Sequence, residues 1–213
     1  MTRALWSKAW CETRSRWAIG IAALGVVIAM GPGDAAKTVF VLLAIVLGTG
    51  GLRQERALGT LGFSLALPVP RRDQILARAA VAIAGVCGLA LFVTIWAPAM
   101  SAVRGAPLEL GELGEAARLG VIWAVCGSLI ACLAQLLASL VASDYLVYLG
   151  TLLIVIGYES AVQLTALRDQ PLCDLFRVMA GGPAMPWPTL GAAIALAAVM
   201  LGGAVRAVRG LAP

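Results

Sequence analysis

The residues most suggestive of chemistry lie in one short stretch, "GPGDAAKT", from Gly31 to Thr38. Two motifs come close to forming there. As a phosphate-binding loop it has Gly31, Lys37 and Thr38 at the required spacing, but Ala36 stands where the second glycine belongs. Such a loop also needs a preceding strand and a following soluble helix, so that backbone N–H groups surround the phosphates. As the Gly-x-Gly-Asp of an intramembrane aspartyl protease, it supplies Asp34, which needs a second aspartate beside it. Asp144, Asp169 and Asp174 fall elsewhere along the chain, so no dyad is expected. What remains is a tight turn whose backbone is set by glycine and proline.

The chain contains no histidine. That removes serine–histidine and cysteine–histidine nucleophile pairs, histidine-based zinc sites and histidine haem ligation. The five cysteines show no metal-ligand spacing. Cys87, Cys126 and Cys132 sit in apolar runs and read as small apolar side chains. Cys173 lies outside those runs, and Cys11 is at most a lipidation candidate. No metal and no catalytic residue is expected.

Polar side chains inside apolar runs are the next candidates, because they are costly there and often functional. Glu159, between Tyr158 and Ser160, stands with Gln135 and Gln163 against the local pattern. Two readings of them stand side by side. They line a path or gate, or Glu159 reaches an interface or Arg168 while the glutamines bridge helices. Glu109, Glu112 and Glu115, three residues apart in "PLELGELGEAARLG", read as a solvated acidic face of a short helix.

Charge gathers most densely in "GLRQERALGTLGFSLALPVPRRDQILARA", from Gly51 to Ala79, which holds five arginines, one glutamate, one aspartate and two prolines. Within it Leu58, Leu61 and Leu65 recur at helical spacing, so a short helix here carries one apolar stripe. Pro68 and Pro70 end that helix, because the residue before a proline resists the helical region. A short helix with leucines on one side and arginines around it suits a groove on another protein. The plainer alternative is a juxtamembrane loop whose arginines serve topology and anionic lipid.

The elements that position these groups follow from the composition. Hydrophobic residues make up 61% of the 213 positions and charged residues 13%. Soluble domains lie near half apolar and a quarter charged, so the excess belongs in lipid. Apolar runs cover residues 17–31, 38–52, 80–100, 119–142, 145–167 and 187–205. A spanning helix needs about 20 such residues. Six spans are expected, the first two short enough to need snorkelling side chains or local thinning.

Lysine and arginine set the orientation. With the N-terminus inside, eleven of the sixteen basic residues face the cytoplasm, Arg3, Lys8, Arg71, Arg72 and Arg209 among them. Lys37, Arg104, Arg118, Arg168 and Arg177 face out, and both termini lie inside. The net charge of +5 is thus an orientation signal, and no soluble domain long enough to bind nucleic acid is present.

Residues 1–16 resemble a secretory signal in their early positive charge. Their pattern fits a different element better. Trp6, Trp10, Thr13 and Trp17 form one stripe, and Lys8, Glu12 and Arg16 form a separate i, i+4, i+8 ladder. Aromatics on one face and charge on another describe a helix lying in the membrane interface, with Trp6, Trp10 and Trp17 as anchors.

The run "ERALGTLGFSLALPVPRRDQILARA" resembles the ABC-two family of ABC transporter permeases, the type-2 exporters. Their cytoplasmic loop after the second span reads roughly E-R-E-x-G-T-L-E, then L-P-V-x-R. Glu55, Arg56, Gly59, Thr60, Leu61, Leu67, Pro68 and Val69 match that pattern, and Arg71 matches within one position. Ala57 and Gly62 replace its two further glutamates, which removes whatever ion pairs those make in the family.

The resemblance implies an all-α polytopic membrane protein. It has six transmembrane helices, an interfacial elbow helix over 1–16, a cytoplasmic coupling loop over 53–78 and an external, partly re-entrant connector over 168–186. Residues 1–213 form a single transmembrane domain. ATPase-coupling residues are then Glu55, Arg56, Leu58, Gly59, Thr60, Leu61, Leu65, Pro68, Arg71 and Arg72. The implied function is the permease subunit of an exporter in a bacterial cytoplasmic membrane. It is not itself an enzyme: it pairs with a second permease chain, and MgATP is bound and hydrolysed by a separate ATPase subunit. Two alternatives share the docking loop: a haem-export-like permease of cytochrome maturation, and a non-transporting scaffold or sensor that docks a cytoplasmic ATPase.

Overall fold

The computed structural model describes residues 3–30, 34–49, 70–105, 110–141, 143–164, 179 and 185–209. Within them the chain forms six α-helices: α1 (Arg3–Met30), α2 (Asp34–Gly48), α3 (Arg71–Val103), α4 (Leu110–Leu140), α5 (Asp144–Leu164) and α6 (Trp187–Arg209). All but α2 are long and apolar enough to cross a membrane, so the chain has the build of a multi-pass membrane protein. At 15 residues α2 is only about 22 Å long, against a hydrocarbon core of about 30 Å.

Helix boundaries depart from the apolar runs in instructive places. Residues 1–16 were expected as an interfacial helix distinct from the first span; instead residues 3–30 are one continuous helix. Ala9 and Thr13 are buried, while Trp6 and Trp10 are exposed. The acidic residues Glu112 and Glu115, expected on a separate short helix, are the exposed first turns of α4.

Helix α3 starts well before its apolar run. Pro70, extended at ψ 128°, precedes Arg71, and its carbonyl accepts hydrogen bonds from the Asp73 and Gln74 amides. Proline suits this position because its φ is already helical, and Asp73 in the first turn favours the helix dipole. At the other end Gly105, at φ 87°, takes the left-handed conformation that closes a helix.

Successive helices run in alternate directions. Ile75 near the start of α3, Ala138 near the end of α4, Val147 near the start of α5, and Ala204 and Val208 near the end of α6 form one apolar cluster. The N-terminal half of α1 and the end of α2 lie toward that end, where Arg16 Nη1 donates to the Val46 carbonyl at 3.4 Å. At the opposite end Arg104 donates to the Ile28 and Ala29 carbonyls, at 3.3 and 2.6 Å. These are among the carbonyls that the C-terminus of α1 leaves without helical partners, and the cation also suits that end of the dipole.

Helix α4 is the centre of the bundle, packed against α2, α3, α5 and α6. Two-thirds of its most apolar stretch is buried, against 22% for α1, α5 and α6. Small residues allow this. A Cβ on Gly127 would lie 2.7 Å from both Phe40 and Val86, and one on Gly120 would strike Thr94. Phe40 of α2, fully buried, also meets Trp123 of α4 with ring centroids 5.0 Å apart.

Small residues also recur along α6. Gly203 lies against α4, where a Cβ would be 3.2 Å from Leu136, whereas Gly191, Ala195, Ala198 and Gly202 are exposed and Leu190, Ala193, Ala204 and Val208 are buried.

Candidate functional site

The residues expected to couple to an ATPase, Glu55, Arg56, Leu58, Gly59, Thr60, Leu61, Leu65 and Pro68, lie outside the described residues. What the structure does describe is how the chain leaves and rejoins the bundle on either side of them. Gly48, the last residue of α2, lies so close to α4 that a Cβ there would be 2.8 Å from Ala131 Cα and closer still to the Ala131 carbonyl oxygen. Only glycine permits this contact between backbones. Next along the chain, Thr49 Oγ1 donates to the Val46 carbonyl at 3.0 Å and is hydrogen-bonded to the Tyr148 hydroxyl of α5 at 3.1 Å.

On the far side the chain resumes at Pro70. Arg71 opens α3, and the Arg72 side chain is exposed. One turn further on, the Ile75 carbonyl accepts a hydrogen bond from Gln135 Nε2 at 3.1 Å. Gln135 is 2% exposed, so the bond satisfies a polar group that burial would otherwise penalise. Ala131 and Gln135 are one helical turn apart on α4. Both roots of the charged segment are therefore seated on neighbouring turns of the same central helix.

The three polar residues, read either as lining a path or as interface and helix-bridging groups, lie at different levels of the bundle. Gln135 lies at the end of the bundle that holds Val147, bridging α4 to α3. Glu159 lies twelve residues beyond Val147 on α5, about 18 Å along the helix, and is half-buried. The backbone of Gln163 is helical a further turn on; its side chain lies outside the described residues.

The tryptophan anchors also divide. Trp6 and Trp10 are exposed, as membrane-facing aromatics would be. Trp17 instead turns into the bundle, its Nε1 donating to the Gly85 carbonyl at 3.2 Å, beside the space that the missing side chain of Gly88 leaves.

Two contacts had no signal in the sequence pattern. The expected external connector, largely outside the described residues, includes Met179. That residue is 2% exposed and belongs to the main apolar core. Trp123 Nε1, in the middle of α4, donates to its carbonyl at 3.0 Å. The connector thus reaches into the bundle at this point.

At the start of α2, Lys37 Nζ is 2.9 Å from Asp34 Oδ1, and the Thr38 hydroxyl donates to the Asp34 carbonyl. The described part of the near-miss motif, from Asp34 to Thr38, is therefore an ordinary first helical turn. Among the described residues no group of acidic or cysteine side chains is arranged to hold a metal ion. No protein-family model, curated protein or solved structure matches the chain.

Proposed function

We propose that this protein is the membrane-spanning permease subunit of an ABC exporter, driven by ATP that a separate ATPase subunit hydrolyses. The observation that carries the proposal is the run from Glu55 to Arg71 and its place between α2 and α3. The run pairs leucines at helical spacing with arginines, and the bundle seats both of its roots on neighbouring turns of α4. A load applied to the segment would reach α4 through Gly48 and Gln135 and α5 through the Thr49–Tyr148 bond. In this reading all six helices cross the membrane, α2 with local thinning, and both termini face the cytoplasm. Two such chains pair. The exposed small residues Gly191, Ala195, Ala198 and Gly202 of α6 offer a surface on which a second helix can approach closely. MgATP belongs to the ATPase subunit.

The test is assembly and activity. The tagged chain, expressed with the ATPase encoded beside its gene, should recover that ATPase from detergent in a stoichiometric complex. Hydrolysis by the complex should exceed that of the ATPase alone. An ATPase that neither binds the chain nor changes its turnover in its presence would defeat the proposal.

A further inference from the structure

Helices α5 and α6 each lean on α4 but make little contact with one another. Between them lies a cleft of about 170 Å³. Cys126, Ile130 and Leu133 of α4 form its floor, with Ile154 and Tyr158 of α5 on one side and Ala193, Leu196 and Met200 of α6 on the other. Met179 of the connector also lines it; among the described residues no charged one does, and the two hydroxyl side chains, Tyr158 and Thr189, both lie toward the Trp187 end. The small side chain of Ala193 keeps the cleft open at its middle.

Three features select the occupant. The first is length: along α6 the cleft runs from Thr189 to Met200, eleven residues or about 16 Å, which is the depth of one leaflet of a hydrocarbon core about 30 Å thick. The second is volume: an apolar cavity of about 150 Å³ stays dry and accepts apolar guests, whereas drug-sized ligands occupy roughly 300–1,000 Å³. The cleft therefore encloses no bulky solute, whereas a single chain can lie along it with part of its width outside. The third is access: Ile154, Tyr158 and Leu196 are 40–47% exposed, so the cleft opens sideways onto the outer surface of the bundle, which in helices this apolar faces lipid.

We propose that this cleft binds one acyl chain of a membrane phospholipid, laid along α6 with its head group at the Trp187 end. Trp187 is 69% exposed there, as aromatic residues at a membrane interface are. The site lies on the opposite side of α6 from Gly191, Ala195, Ala198 and Gly202, so lipid and a second chain would not compete for it. The proposal requires a bilayer but no ATPase, and so stands or falls separately from the transport function.

The test uses the full chain in nanodiscs doped with phosphatidylcholine that carries a diazirine on one acyl chain. After irradiation, adducts are mapped by mass spectrometry. Floor residues Ile130 and Leu133 should be labelled as strongly as Val199, which is 70% exposed and serves as the lipid-facing reference. A diazirine near the ester should favour Ala192 and Ala193, and one near the methyl end should favour Met200. Ala193→Trp fills the cleft and should lower floor labelling about tenfold, equivalent to roughly 1.4 kcal/mol of binding, with Val199 unchanged. Leu196→Trp provides a second blocking variant if the first does not fold.

An unlabelled floor in the unsubstituted protein overturns the proposal, as does floor labelling that survives both blocking variants. A reversed gradient overturns the head-group position. A photoreactive residue at 193 that cross-links to a second copy, with the floor unlabelled, gives the cleft to that copy instead.

Discussion

Gly127 and Gly202 present the same absent side chain to opposite surroundings. Around Gly127 a Cβ would sit 2.7 Å from two fully buried side chains, whereas around Gly202 nothing lies within 4 Å. Leucine at either site gains the same helix propensity, so the difference between the two variants isolates packing. Gly127→Leu should destabilise by about 1–3 kcal/mol through overpacking. In a protein of this size that is roughly a 2–12 °C fall in detergent melting temperature. In the unpaired chain, where no second helix covers α6, Gly202→Leu should melt at or above the parent; equal melting of the two variants would mean that α4 does not pack as described. Glu159 allows a second test at this scale. If it lines a path, Glu159→Gln should leave assembly intact while lowering substrate-stimulated ATP hydrolysis or transport, because the amide keeps the shape and loses the charge. A silent change in a well-assembled complex would assign the carboxylate to the interface.

At the scale of elements, the segment between α2 and α3 is where the proposed function is most exposed to failure. Leu61 lies on the apolar stripe that would dock into the ATPase. Leu61→Asp puts an unpaired carboxylate into that contact, at a cost of several kcal/mol against the roughly 8 kcal/mol that micromolar binding represents. Co-purification of the ATPase should be lost while the chain itself remains monodisperse by gel filtration. Full recovery of the partner with this variant would take Leu61 out of the interface. The bundle should be insensitive to the change, since the roots at Gly48 and Ile75 hold to α4 by contacts that do not involve the substituted side chain.

For the molecule as a whole, the distribution of basic residues gives a testable orientation. Lys8, Arg14, Arg16, Arg72, Arg78 and Arg206 lie toward the end that holds the start of α1, and Lys37, Arg104 and Arg118 toward the other. By the positive-inside rule such a bias would put the richer end in the cytoplasm. In a variant lacking its native cysteines, single cysteines at Arg3, Arg71 and Arg209 should react with an impermeant thiol reagent only when the cytoplasmic face is open. Those at Asp34, Glu112 and Asp174 should react from outside. Labelling of position 71 from outside would invert the topology and remove the docking segment from the ATPase.

The amino-acid pattern was sufficient to establish an all-helical, membrane-type chain, because hydropathy records how much side chain must leave water. It also located each apolar run to within a few residues at most boundaries and drew attention to the charged segment after α2. It could not say which way a helix faces. In a membrane, lipid and protein interior are equally apolar, so the lipid side and the packed side of a helix have similar composition. Composition therefore does not separate Gly203 of α6, which packs against Leu136, from Gly191, Ala195, Ala198 and Gly202, which are exposed, or single out Gly120 and Gly127 as the close contacts of α4. Tertiary contact alone turned Trp17 inward onto Gly85, set Arg104 on the last carbonyls of α1 and held Met179 beneath Trp123. These partners lie more than fifty residues away along the chain, and no local pattern of residues specifies them.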